Sequence, residues 1–103
     1  MPKQQEVNVK KMREKLHNVT PLLKALSNES RLLILCLLTQ GEMSVSELNR
    51  RFDLSQSALS QHLAKLRRDN LVDTRRDSQT IYYSLASPEA GRLIRFLHSE
   101  YCS

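Results

Sequence analysis

The stretch LSQSALSQHLAKLRRDNLVDTRRDSQTIYYSL, Leu54 to Leu85, changes its apolar period partway along, and that change decides the fold. In its first half Leu59, Leu63 and Leu66 recur at helical spacing, so they share one stripe of a helix. In its second half Ile81, Tyr83 and Leu85 alternate with Thr80, Tyr82 and Ser84, the period of a strand with one buried face. Ser55 supplies a helix cap, and Asn70, which tolerates left-handed backbone, a stop after Asp69. Leu71 to Arg76 and Gln79 to Leu85 then read as two strands turned through Asp77-Ser78.

The flanking sequence extends this unit at both ends. Val9, Met12, Leu16, Val19, Leu22, Leu23 and Leu26 form a helical stripe, with a break expected at Pro21. Asn28 caps a helix from Glu29 to about Gln40 that Gly41 closes. Its core, RLLILCLL (Arg31 to Leu38), is apolar nearly all round and should be the central, buried helix. Ser44-Val45-Ser46-Glu47 fits a capping box opening a short helix that ends near Phe52, with a tight turn at Asp53-Leu54. Ser87-Pro88-Glu89 starts the last helix with a cap, a proline in the first turn and an acid at the positive dipole end. That helix carries Leu93, Ile94, Leu97 and Tyr101 on one face. The order is helix, helix, helix, turn, helix, β-hairpin, helix. A mainly α chain with a β-hairpin wing is a winged helix-turn-helix. One domain spans 1–103, with N-terminal helices over 1–26, the helix-turn-helix over 44–69, the wing over 71–85 and the C-terminal helix over 87–102.

Composition bounds the function. Hydrophobic residues make up 40% and charged residues 26%, ordinary for a globular domain, while 2 glycines and 3 prolines favour helices over a many-turned β fold. The apolar run Leu32 to Leu38 is far short of the roughly 20 residues of a membrane span. The polar start MPKQQEVNVKKMREK lacks the apolar core of a signal peptide. A cytoplasmic protein with no membrane partner is expected, and its two cysteines begin as thiols. The net charge of +5 is unevenly placed. Arg50 to Arg76 holds seven Lys/Arg against three acids, a basic stripe that suits a polyanion. On charge alone, a solvated surface fits equally well. Catalysis has no support: there is no glycine-rich phosphate loop and no GxSxG motif, and Cys36, His62 and His98 have no third partner for a nucleophile–base arrangement.

The Ser55–Asp69 segment carries the most specific chemistry. Gln56, Ser57, Ser60, Gln61 and Lys65 face away from the leucine stripe. Amides can pair bidentately with adenine, and short hydroxyls, Ser55 included, allow close approach to base edges and phosphates. A solvated helix favours Glu and Lys, yet residues 55–62 contain neither. His62 is either a base contact or a boundary residue beside the core. Arg67 and Arg68, with Arg50 and Arg51 on the preceding helix, suit phosphates. Arg75 and Arg76 at the hairpin tip suit the minor groove.

These residues resemble a known family. The Leu54–Leu85 stretch is similar to the recognition helix and wing of ArsR/SmtB-type bacterial repressors, and LLKALSNESRLLILCLL (Leu22 to Leu38) to their earlier helices. The resemblance covers roughly residues 20–102. It implies a homodimeric winged helix that binds double-stranded DNA at an imperfect palindromic operator and releases it on meeting an inducer. It also implies a dimer built from the first and last helices, 1–26 and 87–102. Val9, Met12 and Leu16 would pack with Leu93, Ile94, Leu97 and Tyr101 across the two-fold; without the resemblance those stripes read equally as core. Asn70 and Asp77-Ser78 stand where the family often has glycine, and both Asn and Asp tolerate positive φ.

The family's metal sites are incomplete in this sequence. Its arsenic and cadmium type uses Cys-x-Cys on the central helix, where Ile34-Leu35-Cys36-Leu37 has one cysteine. Its zinc and nickel type uses His-x-x-His/Glu on the last helix, where His98 is followed by Tyr101. No metal or other cofactor is expected. Cys36 and Cys102, with Ile34-Leu35 and Tyr101 beside them, resemble the dithiol subgroup that senses persulfide or oxidant. From the residues alone Cys36 reads as a small core side chain and Cys102 as a tail thiol, and spacing does not bring them together. The resemblance implies that proximity, and a repressor that lets go of DNA when the two are linked by a di- or polysulfide after contact with reactive sulfur species or oxidants. A regulator without thiol sensing, or with a metal at an unusual site, stays open. Leu32 and Leu37 disfavour a thiolate at Cys36, whereas Cys102 has His98 one helical turn before it. Cys102 is therefore expected to react first and Cys36 to resolve.

Overall fold

Each helix starts where a short polar side chain can bind its free N–H groups. The computed structural model describes residues 8–101. Asn8 Oδ1 accepts from Lys11 N at the start of α1 (Val9–Leu26), and Asn28 Oδ1 from Arg31 N at 3.0 Å at the start of α2 (Glu29–Leu38). A two-residue strand β1 (Met43–Ser44) leads directly into α3 (Val45–Arg51). There the capping box is complete: Glu47 N donates to Ser44 Oγ at 3.2 Å, and Ser44 N to Glu47 Oε1 at 3.1 Å. Ser55 caps α4 (Gln56–Arg68), and Asn70, with φ 60°, ends it. The wing strands β2 (Val72–Asp77) and β3 (Thr80–Leu85) follow. Ala90 N then donates to Ser87 Oγ in the first turn of α5 (Pro88–Tyr101).

The fold is mainly helical with a three-stranded antiparallel wing, and the buried side chains Ile34, Leu35, Leu48, Leu59, Leu63, Leu66 and Ile94 make one core. Central α2 packs against α1, α4, α5 and β3. Arg31, in its first turn, reaches back to the Ala25 carbonyl at 3.3 Å and so ties the end of α1 to α2. Gly91 is buried on α5, with Leu85 of β3 at an ordinary contact distance from where a Cβ would sit.

Several expectations change. Pro21 does not break α1, which runs through it. The Thr20 hydroxyl donates to the Leu16 carbonyl at 2.8 Å, and residues 8–21 are all exposed, so water reaches the carbonyl that Pro21 leaves without its usual donor. Helix α2 stops at Leu38, not Gln40, because the N–H groups of Thr39, Gln40 and Gly41 bond three residues back and tighten the last turn. Gly41, at φ 137°, then takes a backbone that a side chain would disfavour. The hairpin turn is Ser78-Gln79, one residue later than Asp77-Ser78, because Asp77 pairs with Thr80 and the positive φ of 58° falls at Ser78. Ile81, one residue past the last β1–β3 pair, stays exposed, whereas Tyr83 and Leu85 pack on the core. Strand β1 was not expected: Met43 pairs with Tyr83 and Ser44 with Tyr82, giving the order β1-β3-β2.

Candidate nucleic-acid interface

Helix α4 divides cleanly along its length. Leu59, Leu63 and Leu66 are buried, and this anchors the helix with its opposite face outward. On that face Gln56, Ser57, Ser60, Gln61, Lys65, Arg67 and Arg68 are all exposed. Its first turn is held by Ser55 Oγ, which accepts from Ala58 N at 3.1 Å and lies 3.4 Å from Ser57 Oγ. The helix therefore offers amides and hydroxyls at its leading end and cations at its trailing end. Lys65 pairs with Asp69 at 3.4 Å, which steadies the last turn. His62 is half-buried at the edge of the stripe.

The wing completes a concave surface. Ser60, Ala64, Arg67 and Arg68 of α4 face Asn70 and Tyr83 across a shared hollow. Arg50 and Arg51 lie exposed in the last turn of α3. Arg76 donates through Nε to the Ser78 carbonyl at 3.1 Å, which holds it beside the hairpin turn. Its neighbour Arg75 is engaged differently. Arg75 Nε donates to Glu42 Oε2 at 3.1 Å, its terminal nitrogen donates to Glu42 Oε1, and its guanidinium lies 4.7 Å from the centre of the Tyr82 ring. The Arg75 hydrogen bond holds the Glu42 carboxyl below its ordinary value, and Glu42 in turn raises Arg75.

Sequence reasoning missed Glu42, Tyr82 and Tyr83 as members of this surface. Glu42 and Arg75 are 33 residues apart, and nothing local joins them. Tyr82 had a usable signal: in a hairpin turned at Ser78-Gln79 it lies directly opposite Arg75, and opposite residues share a face.

The remaining site candidates are spread through the chain. Cys36 is half-buried on α2 against the core, with its carbonyl accepting from the Thr39 hydroxyl at 2.6 Å. Cys102 lies outside the described residues. His98 is exposed on α5. Among the described residues no three His, Cys, Asp or Glu side chains converge as a metal site, and no helix is long and apolar enough to cross a membrane.

Large apolar side chains also stay exposed outside α4. Val9, Met12, Leu16, Val19 and Leu23 of α1, Leu33 of α2, and Phe96 and Tyr101 of α5 are exposed. Ile94, which the resemblance would set across a two-fold and the residues alone read equally as core, is fully buried in the protomer's own core, where α5 packs on α2 and β3. Phe96 takes the outward position.

Comparison with known proteins agrees with this geometry. Residues 28–74 match the family described as bacterial regulatory protein, arsR family. The chain is 52% identical over 96 residues to the transcriptional activator HlyU of Vibrio cholerae, covering 93% of this chain and 89% of that protein. It is 42% identical over 98 residues to a biofilm growth-associated repressor of Agrobacterium fabrum, covering 95% and 84%. The structure of reduced HlyU from Vibrio cholerae superposes with a TM-score of 0.86 at 53% identity, over 90% of this chain and 98% of that one.

Proposed function

The chain belongs to the arsR family of bacterial regulatory proteins, transcription regulators that bind DNA through a winged helix, and from that premise we propose a repressor that two thiols switch off. Two copies pair through the apolar faces of α1 and α5 and set two α4 helices in successive major grooves of an imperfect palindrome. Gln56 and Gln61 read base edges, with His62 at the margin of that contact. Ser55, Ser57 and Ser60 allow close approach, and Lys65, Arg67, Arg68 and Arg76 of the wing hold phosphates. The support is the exposed amide and hydroxyl face of α4 beside a cationic wing.

Thiol sensing rests on Cys36 lying half-buried on α2, a helix packed against both α4 and α5. In this scheme the Cys102 thiolate attacks the outer sulfur of a sulfane donor, whose thiol departs, leaving a Cys102 persulfide. The Cys36 thiolate then attacks the Cys102 sulfur and expels hydrosulfide, leaving a disulfide; retention of further sulfane sulfurs gives a polysulfide bridge. A bridge would pull α5 toward α2 and change the spacing of the two reading helices, which must match about one turn of DNA.

Mass spectrometry with DNA binding, before and after polysulfide, on wild type, Cys36→Ser and Cys102→Ser tests this. The wild type should gain an intramolecular link and lose affinity for a selected palindrome, while both variants keep theirs. Undiminished affinity of linked wild type would remove the sensor and leave the DNA reader. The apolar flanks of Cys36 set the order of reaction: in the unmodified protein Cys102 should alkylate first.

A further inference from the structure

The two adjacent wing arginines have different work. We infer that Arg75 is a positioning residue, locked by Glu42 and Tyr82 to fix the angle of the wing, and that Arg76 alone of the pair reaches DNA. This rests on the DNA-binding role of the wing proposed above.

The sheet register explains the lock. Arg75 lies opposite Tyr82, and Tyr82 opposite Ser44, so the three share one face across β2, β3 and β1. Glu42 precedes Ser44 by two residues and falls on that face as well. The Arg75 side chain crosses over the Tyr82 ring and meets the Glu42 carboxylate with two nitrogens. That contact joins the outer strand of the wing to the segment leading into β1 and α3. Strand β1 has only two residues, so its ladder alone is a weak anchor. The bridge clamps the hairpin at a second point, on the side opposite Met43, Val72 and Tyr83. Arg76 belongs to the other face, one residue nearer the turn, where its backbone contact to Ser78 leaves the guanidinium's remaining nitrogens open.

The charge of Glu42 distinguishes this role from a simple phosphate contact. If Arg75 bound a phosphate, DNA would have to break its bond to Glu42, and removing that acid would strengthen binding. If Arg75 positions the wing, removing the acid weakens binding although the protein becomes more positive.

The test is the salt dependence of binding by the full-length protein to the tightest duplex, about 30 base pairs, selected from a random pool, a length that holds two half-sites about one turn apart. Arg76→Ala should lower the slope of log K against log salt by about 1, the signature of one lost phosphate contact. Arg75→Ala should leave the slope unchanged and weaken binding about two- to fivefold, the scale of one exposed pair with a ring contact. Glu42→Gln should weaken binding by a similar factor with the same slope, and adding it to Arg75→Ala should cost nothing more. Glu42→Arg combined with Arg75→Glu should restore part of the loss. Tighter binding by Glu42→Gln, a slope reduced by Arg75→Ala, or no effect of either would overturn the assignment. An unchanged slope for Arg76→Ala would instead count against DNA contact by the wing tip.

Discussion

Phe96 gives the sharpest test of the proposed pairing, because more than half of it lies uncovered on the protomer. It is 58% exposed on α5, next to half-buried Leu93 and Leu97. An aromatic side chain carries about 150–250 Å² of surface, so roughly 90–150 Å² of Phe96 is free to be covered. At about 25 cal/mol per Å² that area would contribute about 2–4 kcal/mol if fully buried. Ordering costs, and the Cβ that alanine retains, reduce this to about 1–2 kcal/mol. A two-fold axis counts each substitution twice. Phe96→Ala should therefore raise the dimer dissociation constant about 30- to 1,000-fold, from about 2–4 kcal/mol in total. Sedimentation across a dilution series measures the constant, and circular dichroism should show the helices intact. Ile94→Ala is the contrast: Ile94 is fully buried, so its truncation should cost about 2–4 kcal/mol of folding stability. A dissociation constant that moves less than about threefold in Phe96→Ala, below 1 kcal/mol, would refute an α5-based interface.

Ser44→Ala removes the hydroxyl half of the capping box and should destabilise the fold by about 1 kcal/mol in urea denaturation. Glu47 is held below its ordinary value of 4.5, first by the Ser44 backbone N–H and then by the Ser44 hydroxyl. A depressed carboxylate contributes stability that is fully present above the unfolded value and is lost as pH falls through the folded one. Stability should thus decline as pH drops below about 4.5, and Glu47→Gln should flatten that decline; an unchanged acid limb would show that other carboxylates govern it. Gly91→Ala should raise stability by about 0.5–1 kcal/mol in thermal melts although the position is buried. Its new Cβ would meet only the movable tip of Arg95 at 3.0 Å and Leu85 at an ordinary 3.6 Å. A fall in stability would mean that Arg95 cannot shift.

What could be read ahead of the structure was local. Asn28, Ser44 and Ser55 each put a side-chain oxygen within reach of an N–H three residues on, so helix starts are written in short spacing. The leucines of α4 fix its outward face the same way. Pro21 misled because a proline's cost depends on whether its orphaned carbonyl meets water, and sequence does not reveal exposure. Ile81 misled because alternation identifies a face but not where the packing beneath it ends. Ile94 and Phe96 lie on one helix with similar hydropathy; which is core depends on how α5 crosses α2. The Glu42–Arg75 bond was out of reach for a simpler reason: strand β1 brings the two together, and two residues leave no period to detect. Of the thiol pair, the apolar flanks of Cys36 were readable, and its place on a helix that touches both α4 and α5 needed the fold.

The exposure of α1 has a consequence for the life of the protein in the cell. Residues 8–21 lie on the surface of their own protomer, and a helix of this length is marginal when nothing packs on it. The apolar side chains that would be hidden by pairing are the ones an unpaired copy displays on a fraying end. Such an end is what housekeeping proteases cut first. On the pairing proposed above, single copies would be cut in α1 before pairs are, so limited proteolysis there should slow as protein concentration rises.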